Sequence, residues 1–558
     1  MKKQKFIAIF LIFLTASSAL FSQTQIWKST AEKPAYGKSG MVSSAHPVAT
    51  QAGRDILAAG GNAFDAAVAI ASTLNVVEPM MSGIGGYGTI MTYDAKSGEA
   101  RFLNCSGRIP SALDSDVFRP PTPNYLKNRS GAKAVSTPGN VNCWEAMSKN
   151  YGKLKWQRLF QSAIINAEKG FVLSERTAAA IKNAYPTFPE NARLIYGRSG
   201  EPLTANEKLV QKDLADTFRK IASQGAKAVY DGRVGKSIDE AMKKADGFLS
   251  LEDLRRNRAE WWKPISIDYR GNKIVTASPP ANAFDMLVRL GMMSRFDNAA
   301  LGHNTAEYLH RFAEVTKHGF FVRLNYAGDP EIKPPPLDLL FSEKYLTDET
   351  AKIDLQKAKS FERNDGGSSR ETHTTHFVVA DRWGNVVSAT QTLGNLFGSR
   401  IMPEGTGIWL NNSLEYSTFE PKGNPMDAFP GRHKLSGDCP TLIFRNGKLW
   451  AAIGTPGGHT IGQTVPQMII NMIDFKMDVQ QAITAPRISF IEPDELAVER
   501  SIPESIRKEL EAMGHKIAVF RTLGNAHGLI IEYDAQGKPI RFSGGADPRG
   551  EGIAVGIE

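Results

Sequence analysis

Thr374 is the residue around which chemistry can be built. It stands in the run Glu371-Thr372-His373-Thr374-Thr375-His376-Phe377, which passes at once into Val378-Val379-Ala380. A polar, Gly/Ser-rich stretch, Asn364-Asp365-Gly366-Gly367-Ser368-Ser369-Arg370, comes before it. That order predicts a flexible linker delivered into the start of a buried strand. If the chain is cut before Thr374, one residue supplies both a nucleophile (the side-chain oxygen) and a base (the new α-amine), a known variant of the activated nucleophile. Gly457-Gly458, just ahead of the apolar run Ile461 to Ile473, is the second such element. Backbone N–H groups at a helix start point at whatever sits there, and the helix dipole favours negative charge, so this pair suits an oxyanion.

Other patterns carry less. Gly83-Ile84-Gly85-Gly86-Tyr87-Gly88 satisfies GxGxxG in form. A dinucleotide fingerprint needs a strand before it and a helix after it, and here the order is reversed. Glycines in such numbers mean close backbone approach, to neighbouring chain or to a ligand. His373-x-x-His376 has a metal-like spacing but no third ligand in sequence, so no metal is expected. Cys105, Cys143 and Cys439 lie far apart and make neither a metal pattern nor a disulfide framework, which predicts buried free thiols.

The elements that must position these residues fall into two styles. From Gly40 to about 324 the chain is helix-rich. A strand at Gly40-Met41-Val42 leads to a helix Pro47–Ala59, then to a second helix capped by Asn62 with Asp65 three residues on. Further helices are expected after Thr137-Pro138-Gly139, over Trp156–Ala167, 206–224, 233–245, 282–294 and 303–324, with a hairpin at 265–277. After Thr374 the pattern turns to strands. Thr374–Ala380 and Val386–Leu393 flank Asp381 to Asn385, and Leu442–Phe444 and Leu449–Ile453 flank Asn446-Gly447-Lys448, both hairpins. The fold class is α+β, with both halves sharing one core.

At 558 residues the chain has ample material for a large core. Residues 1–23 read as a secretory signal peptide: a basic start (Lys2, Lys3, Lys5), an apolar run Phe6–Leu14, and small residues Ala16-Ser17-Ser18-Ala19. The net charge of +9 becomes +6 without that segment's three lysines, and the remaining basic residues are scattered, which speaks for solubility and against nucleic-acid binding.

Taken together, these residues resemble the γ-glutamyltranspeptidase (glutathione hydrolase) family of N-terminal-nucleophile hydrolases. The resemblance runs from about Gly40 to Ile557. It is carried by Asp55-Ile56-Leu57, Gly60-Gly61-Asn62-Ala63, Asp65 to Ala69, Gly83 to Gly88, Thr137-Pro138-Gly139, Thr374-Thr375-His376-Phe377, Gly384-Asn385, Thr455-Pro456-Gly457-Gly458 and Asp547-Pro548-Arg549. It implies a four-layer αββα sandwich made as a proenzyme that cuts itself between His373 and Thr374. A large subunit (24–373) and a small one (374–558) would form a heterodimer. It implies Thr374 as nucleophile, Thr392 as the second threonine that tunes it, and Gly457 and Gly458 as the oxyanion hole, with no cofactor.

The substrate-binding positions depart from the family pattern. Gly394 stands where an Asn is usual, with Asn395 one step later. Ser413 and Tyr416 replace the Gln and Asp that hold a glutamyl α-amine, and Glu415 is the nearest carboxylate. Ser436 is kept of a serine pair whose second member is Gly437. Arg108, the candidate for the α-carboxylate, is offset by two residues. Trp409 and Tyr416 are candidates to stack on substrate. The first reading is an exported, periplasmic or secreted amidohydrolase or transferase acting on γ-glutamyl compounds with water, an amino acid or a peptide as acceptor. The second is an acylase-like enzyme of other acyl specificity, such as glutaryl amides, with weak γ-glutamyl activity. A non-catalytic binder on the same fold is the third, and the retention of Thr374, Thr392 and both glycines speaks against it.

Overall fold

The computed structural model describes residues 33–361 and 373–558. The segment read as a signal peptide and the polar stretch ahead of His373 lie outside the described residues.

Two seven-stranded sheets lie face to face. The first has the order Ile553–Ile557, Gly40–Ser44, Thr375–Asp381, Val386–Thr392, Tyr87–Asp94, Glu99–Asn104 and Glu260–Trp262, with every neighbour antiparallel. The second runs Ala35–Gly37, Pro539–Ala546, His527–Tyr533, Lys448–Gly454, Thr441–Arg445, Asn272–Thr276 and Ile265–Tyr269, again antiparallel. Each sheet draws strands from both sides of Thr374.

The strand after Thr374 shows why its sequence is apolar without alternation. Phe377 and Val379 pack into a core shared with the helices Pro47–Ala58 and Ala63–Val77. Val378 and Ala380 point the other way, into the layer between the sheets, where they meet Leu442, Leu449 and Leu529. Both faces are buried, so a period of two has nothing polar to alternate with. Beyond the second sheet the helices Phe284–Met293, Ala306–Tyr326 and Ile461–Ile473 close a third apolar layer with Ile443, Ala451 and Ile453. The order helix, sheet, sheet, helix is the four-layer sandwich.

Small residues set the layer spacing. A Cβ on Gly53 would come within 2.7 Å of Ile70, so the helices carrying them approach closely. Asn62 and Asp65 form the expected capping box at the second helix. Asp381, at the far end of the strand Thr375–Asp381, accepts from the Ala63 N–H at 2.9 Å and from Trp383 and Asn385 in its own hairpin turn. Asp547-Pro548-Arg549 forms another clamp: Asp547 pairs with the fully buried Arg487, and Arg549 pairs with Asp547 and Glu499. Burial would raise the Asp547 carboxyl, but the two guanidinium groups outweigh it and hold it down to about 2.

Two expectations are corrected. The helix expected over Trp156–Ala167 begins as a 3-10 turn, Trp156–Phe160, before α-helix over Gln161–Lys169. Cys105 and Cys143 are joined in a disulfide, and Cys439 alone is a buried free thiol. Glycines make the pairing possible. A Cβ on Gly139 would lie 2.1 Å from the Cys105 carbonyl oxygen, and one on Gly107 2.0 Å from that of Thr137. The backbone therefore brings the start of the helix Asn140–Tyr151 onto the end of the strand Glu99–Asn104.

Candidate active site

Thr374 sits one residue before the strand Thr375–Asp381, and Thr392 ends the neighbouring strand. The register pairs Thr375 with Gln391, which sets Thr374 beside Thr392. Both hydroxyls converge on one atom. The His373 carbonyl oxygen accepts from Thr374 Oγ1 at 2.6 Å and from Thr392 Oγ1 at 2.7 Å. Thr392 Oγ1 in turn accepts from the Gly394 N–H at 2.9 Å, which orients its own proton toward the carbonyl. Behind this pair, a Cβ on Gly86 would lie 2.4 Å from the Thr392 carbonyl oxygen and one on Gly85 2.1 Å from that of Trp409. The glycine-rich loop is therefore there for close packing against the chain that carries Thr392.

The next residues anchor the strand Thr375–Asp381. Thr375 Oγ1 donates to Glu78 at 2.9 Å. Burial pushes the Glu78 carboxyl up to about 7, against the pull of Arg176 and Thr375. His376 hydrogen-bonds Thr390 through Nδ1 at 2.8 Å, and burial holds its imidazole neutral.

A cavity opens beside Thr374. It is lined by Thr374, Thr392, Tyr416, Ser436, Gly437 and Gly458, and also by Tyr87, Asn282, Arg323, Lys434, Leu435, Asp438 and His459. Gly457 and Gly458 have φ of +150° and +55°, and a 3-10 turn, Gly458–Thr460, separates them from the helix Ile461–Ile473. An L side chain is strained at such angles; Gly458 lines the cavity, whereas Gly457 stands outside the lining and its carbonyl accepts from Thr460.

The structure redistributes the other expected substrate residues. Ser436 lines the cavity, with its Oγ accepting from the Asp438 N–H at 3.1 Å. Tyr416 lines it too, with its ring edge-on to His459 at 5.6 Å. Trp409 packs instead among Phe188, Tyr196 and Phe397. Arg108 is not part of the lining: its guanidinium pairs with Glu260 at 3.1 Å and Glu331 at 3.3 Å and donates to the Gly431 carbonyl. Ser413 is buried and donates to Ser136 Oγ at 2.6 Å. The Glu415 carboxylate accepts from the side-chain amides of Asn395 and Asn412, so it braces the loop instead of facing the cavity.

Sequence reasoning missed Tyr87, Arg323, Lys434, Asp438 and His459. For Lys434 and Asp438 a local signal existed. They flank Ser436 at two-residue steps, so an extended chain turns all three side chains the same way. Burial lowers the Lys434 ammonium to about 7 despite the nearby Asp438, and burial raises the Asp438 carboxyl against Lys434, Ser436 and Thr89.

Among the described residues, two clusters away from the cavity group ligand-type atoms, His310 with Glu314 and His515, and Asp329 with Glu331 and His433. Each already holds a cation of the protein: Lys317 lies 3.0 Å from Glu314, and Arg108 and Arg432 lie on Glu331.

A family model described as Gamma-glutamyltranspeptidase matches residues 49–557. The chain belongs to that family. A glutathione hydrolase proenzyme of Bacillus subtilis (strain 168) is 33% identical over 93% of this chain and 92% of its own length. An acylase ACY 1 proenzyme of Pseudomonas sp. (strain V22) is 34% identical over 92% and 95%. The crystal structure of a cephalosporin acylase from Bacillus halodurans superposes with a TM-score of 0.86 at 28% identity, covering 97% of this chain and all but 1% of that one. With the sandwich above, these place the chain among N-terminal-nucleophile hydrolases. It is a γ-glutamyltransferase or glutathione hydrolase-like enzyme that acts on γ-glutamyl or other acyl amides.

Proposed function

We propose that the protein is exported as a precursor, cuts itself between His373 and Thr374, and then uses Thr374 to take the acyl group from γ-glutamyl amides such as glutathione. One observation carries this reading: the His373 carbonyl has Thr374 Oγ1 at 2.6 Å and Thr392 Oγ1 at 2.7 Å. In maturation, Thr374 Oγ1 attacks the His373 carbonyl carbon while the Thr392 hydroxyl donates to its oxygen. Collapse breaks the His373–Thr374 C–N bond as the Oγ1 proton passes to the departing nitrogen, leaving an ester on Oγ1 and a free α-amine on Thr374. Water then releases His373 as a carboxylate. In turnover, the new α-amine takes the Oγ1 proton as Oγ1 attacks the substrate amide, and the Gly457-Gly458 backbone receives the developing oxyanion. The α-ammonium gives that proton to the leaving amine, and water or an amino-acid or peptide acceptor then takes the acyl group from Oγ1.

Export is supported by the composition of residues 1–23 and by the Cys105–Cys143 bridge, since disulfides persist in oxidising compartments. Tyr416 and Gly437, with the likeness to acylases, favour a second reading in which the acyl group is a different one. The maturation test is a denaturing gel with N-terminal sequencing. Two chains of about 350 and 185 residues are expected, counting from Thr24 and from Thr374. Thr374→Ala should stay intact and inactive. A single uncut band from active protein, or a cut elsewhere, would overturn the reading.

A further inference from the structure

The cavity beside Thr374 carries charges that self-cleavage does not use. Lys434 and Asp438 are both buried, and both line it. The chain between them is extended and pinned. Ser436 donates its N–H to the Pro280 carbonyl at 3.3 Å and accepts from the Asn282 N–H at 2.7 Å. This directs side chains 434, 436 and 438 to one side. The Lys434 ammonium lies 3.4 Å from the centre of the Tyr87 ring and 5.8 Å from that of Tyr416. Asp438 accepts from Thr89 Oγ1 at 3.2 Å. Arg323 enters the same cavity from the helix Ala306–Tyr326.

A buried charge is unfavourable until it is paired and hydrogen-bonded. An ammonium has three donors and a carboxylate about four acceptor positions. The faces of Tyr87 and Tyr416, the hydroxyls of Thr89 and Ser436 and the attraction between Lys434 and Asp438 use only part of that capacity. A ligand group bearing one carboxylate and one ammonium on the same carbon complements both residues and adds no net charge to the cavity. We propose that Lys434 and Asp438 are the specificity-determining pair for the acyl group, Lys434 receiving the α-carboxylate and Asp438 the α-ammonium of a γ-glutamyl substrate.

This rests on the reading of Thr374 as nucleophile, because the cavity is defined by that residue. It gives the role expected of Glu415 to Asp438, since the Glu415 carboxylate already holds Asn395 and Asn412. It gives the role expected of Arg108 to Lys434. A glutaryl amide would satisfy Lys434 alone, and a 4-aminobutyryl amide Asp438 alone.

The test measures kcat/KM for the p-nitroanilides of γ-glutamate, glutarate and 4-aminobutyrate with wild type, Asp438→Asn, Lys434→Met and Lys434→Arg. A gel checks each for cleavage at Thr374, so a variant that fails to fold is recognised. Wild type should prefer the γ-glutamyl compound. Asp438→Asn should lower the γ-glutamyl to glutaryl ratio at least about tenfold, mainly through KM. Lys434→Met should lower both carboxylate-bearing substrates at least about tenfold relative to the 4-aminobutyryl one, and Lys434→Arg should recover part of that loss. Ratios that stay unchanged in cleaved, active variants would overturn the pair's role and leave Thr374 as nucleophile untouched. A wild type inactive on all three substrates would instead defeat the reading of the enzyme on which the pair depends.

Discussion

Two hydroxyls on one carbonyl make the role of Thr392 separable from that of Thr374. Thr392→Val keeps the shape and the strand register but removes one donor from the His373 oxygen. Losing one donor to a developing oxyanion usually costs about 10²–10³ in rate. A time course of precursor cleavage on gels should therefore show slowing of that order, with Thr374 still present to complete the reaction. Gly458→Val tests the other donor site. Its φ of +55° is strained for valine, so the N–H should turn away from the cavity. Turnover should fall by about two to three orders of magnitude with a much smaller change in KM. An unchanged kcat in a folded, processed variant would remove the glycine from the mechanism.

At the scale of elements, the displaced Arg108 reveals a charge cluster that ties four pieces of chain together. His433 lies between Asp329, which follows the helix Ala306–Tyr326, and Glu260 on an edge strand. Arg108, Glu331 and Arg432 surround them, and the Trp262 ring sits edge-on at 5.1 Å. Burial alone would lower the imidazole, but hydrogen bonds and charge from Asp329 and Glu260 outweigh it and push it up to about 9 from 6.5. The sign follows directly. A raised histidine contributes stability that is complete below its unfolded value, near 6.5, and is lost as pH rises through about 9. A shift of this size corresponds to at most about 3 kcal/mol. Glu260 acts at the other end. Burial raises it, but His433 and Arg108 win and hold it at about 2, so its contribution is present above about 4.5 and lost on acidification through about 2. Urea unfolding at pH 6 and pH 10 should show wild type losing up to about 3 kcal/mol more than His433→Gln. Equal losses would mean that His433 is not held protonated.

For the molecule as a whole, the interleaving of strands decides what cleavage can do. Strands 40–44, 87–94 and 99–104 share a sheet with 375–381 and 386–392, and 265–269 and 272–276 share the other with 441–454. Cutting before Thr374 breaks one covalent bond and no sheet. The two chains should therefore co-elute in gel filtration and part only on unfolding. The Cys105–Cys143 bridge lies wholly within the first chain, so it stiffens that chain without linking the pair. Closing a loop of 38 residues corresponds to about 4 kcal/mol of unfolded-state entropy. Reduction, or a double Cys→Ala variant at 105 and 143, should lower the melting temperature accordingly. Thiol titration of denatured protein should find one reactive group before reduction and three after.

The sequence by itself marked the residues whose character depends on local context. Thr374 stood out because a polar stretch runs there into an apolar strand, the setting that a nucleophile released at a chain start would need. Gly457-Gly458 stood out because donors for an oxyanion would need a backbone free of side chains, and the fold brings Gly458 to the cavity. The hairpins at 375–392 and 441–454 followed from turn residues between apolar runs. Tertiary structure decided every choice of partner. Arg108 and Lys434 are both basic residues in connecting segments, and only the path of the chain puts one among Glu260 and Glu331 and the other on the face of Tyr87. Glu415 and Asp438 are told apart by the amides of Asn395 and Asn412. Cys105 meets Cys143 because Gly107 and Gly139 let two backbone segments close to contact. The physical reason is one of range. Periodicity and turn chemistry act over a few residues and report how deeply a side chain will be buried. Pairing energies act over a few ångströms, between residues whose separation in the chain runs to hundreds.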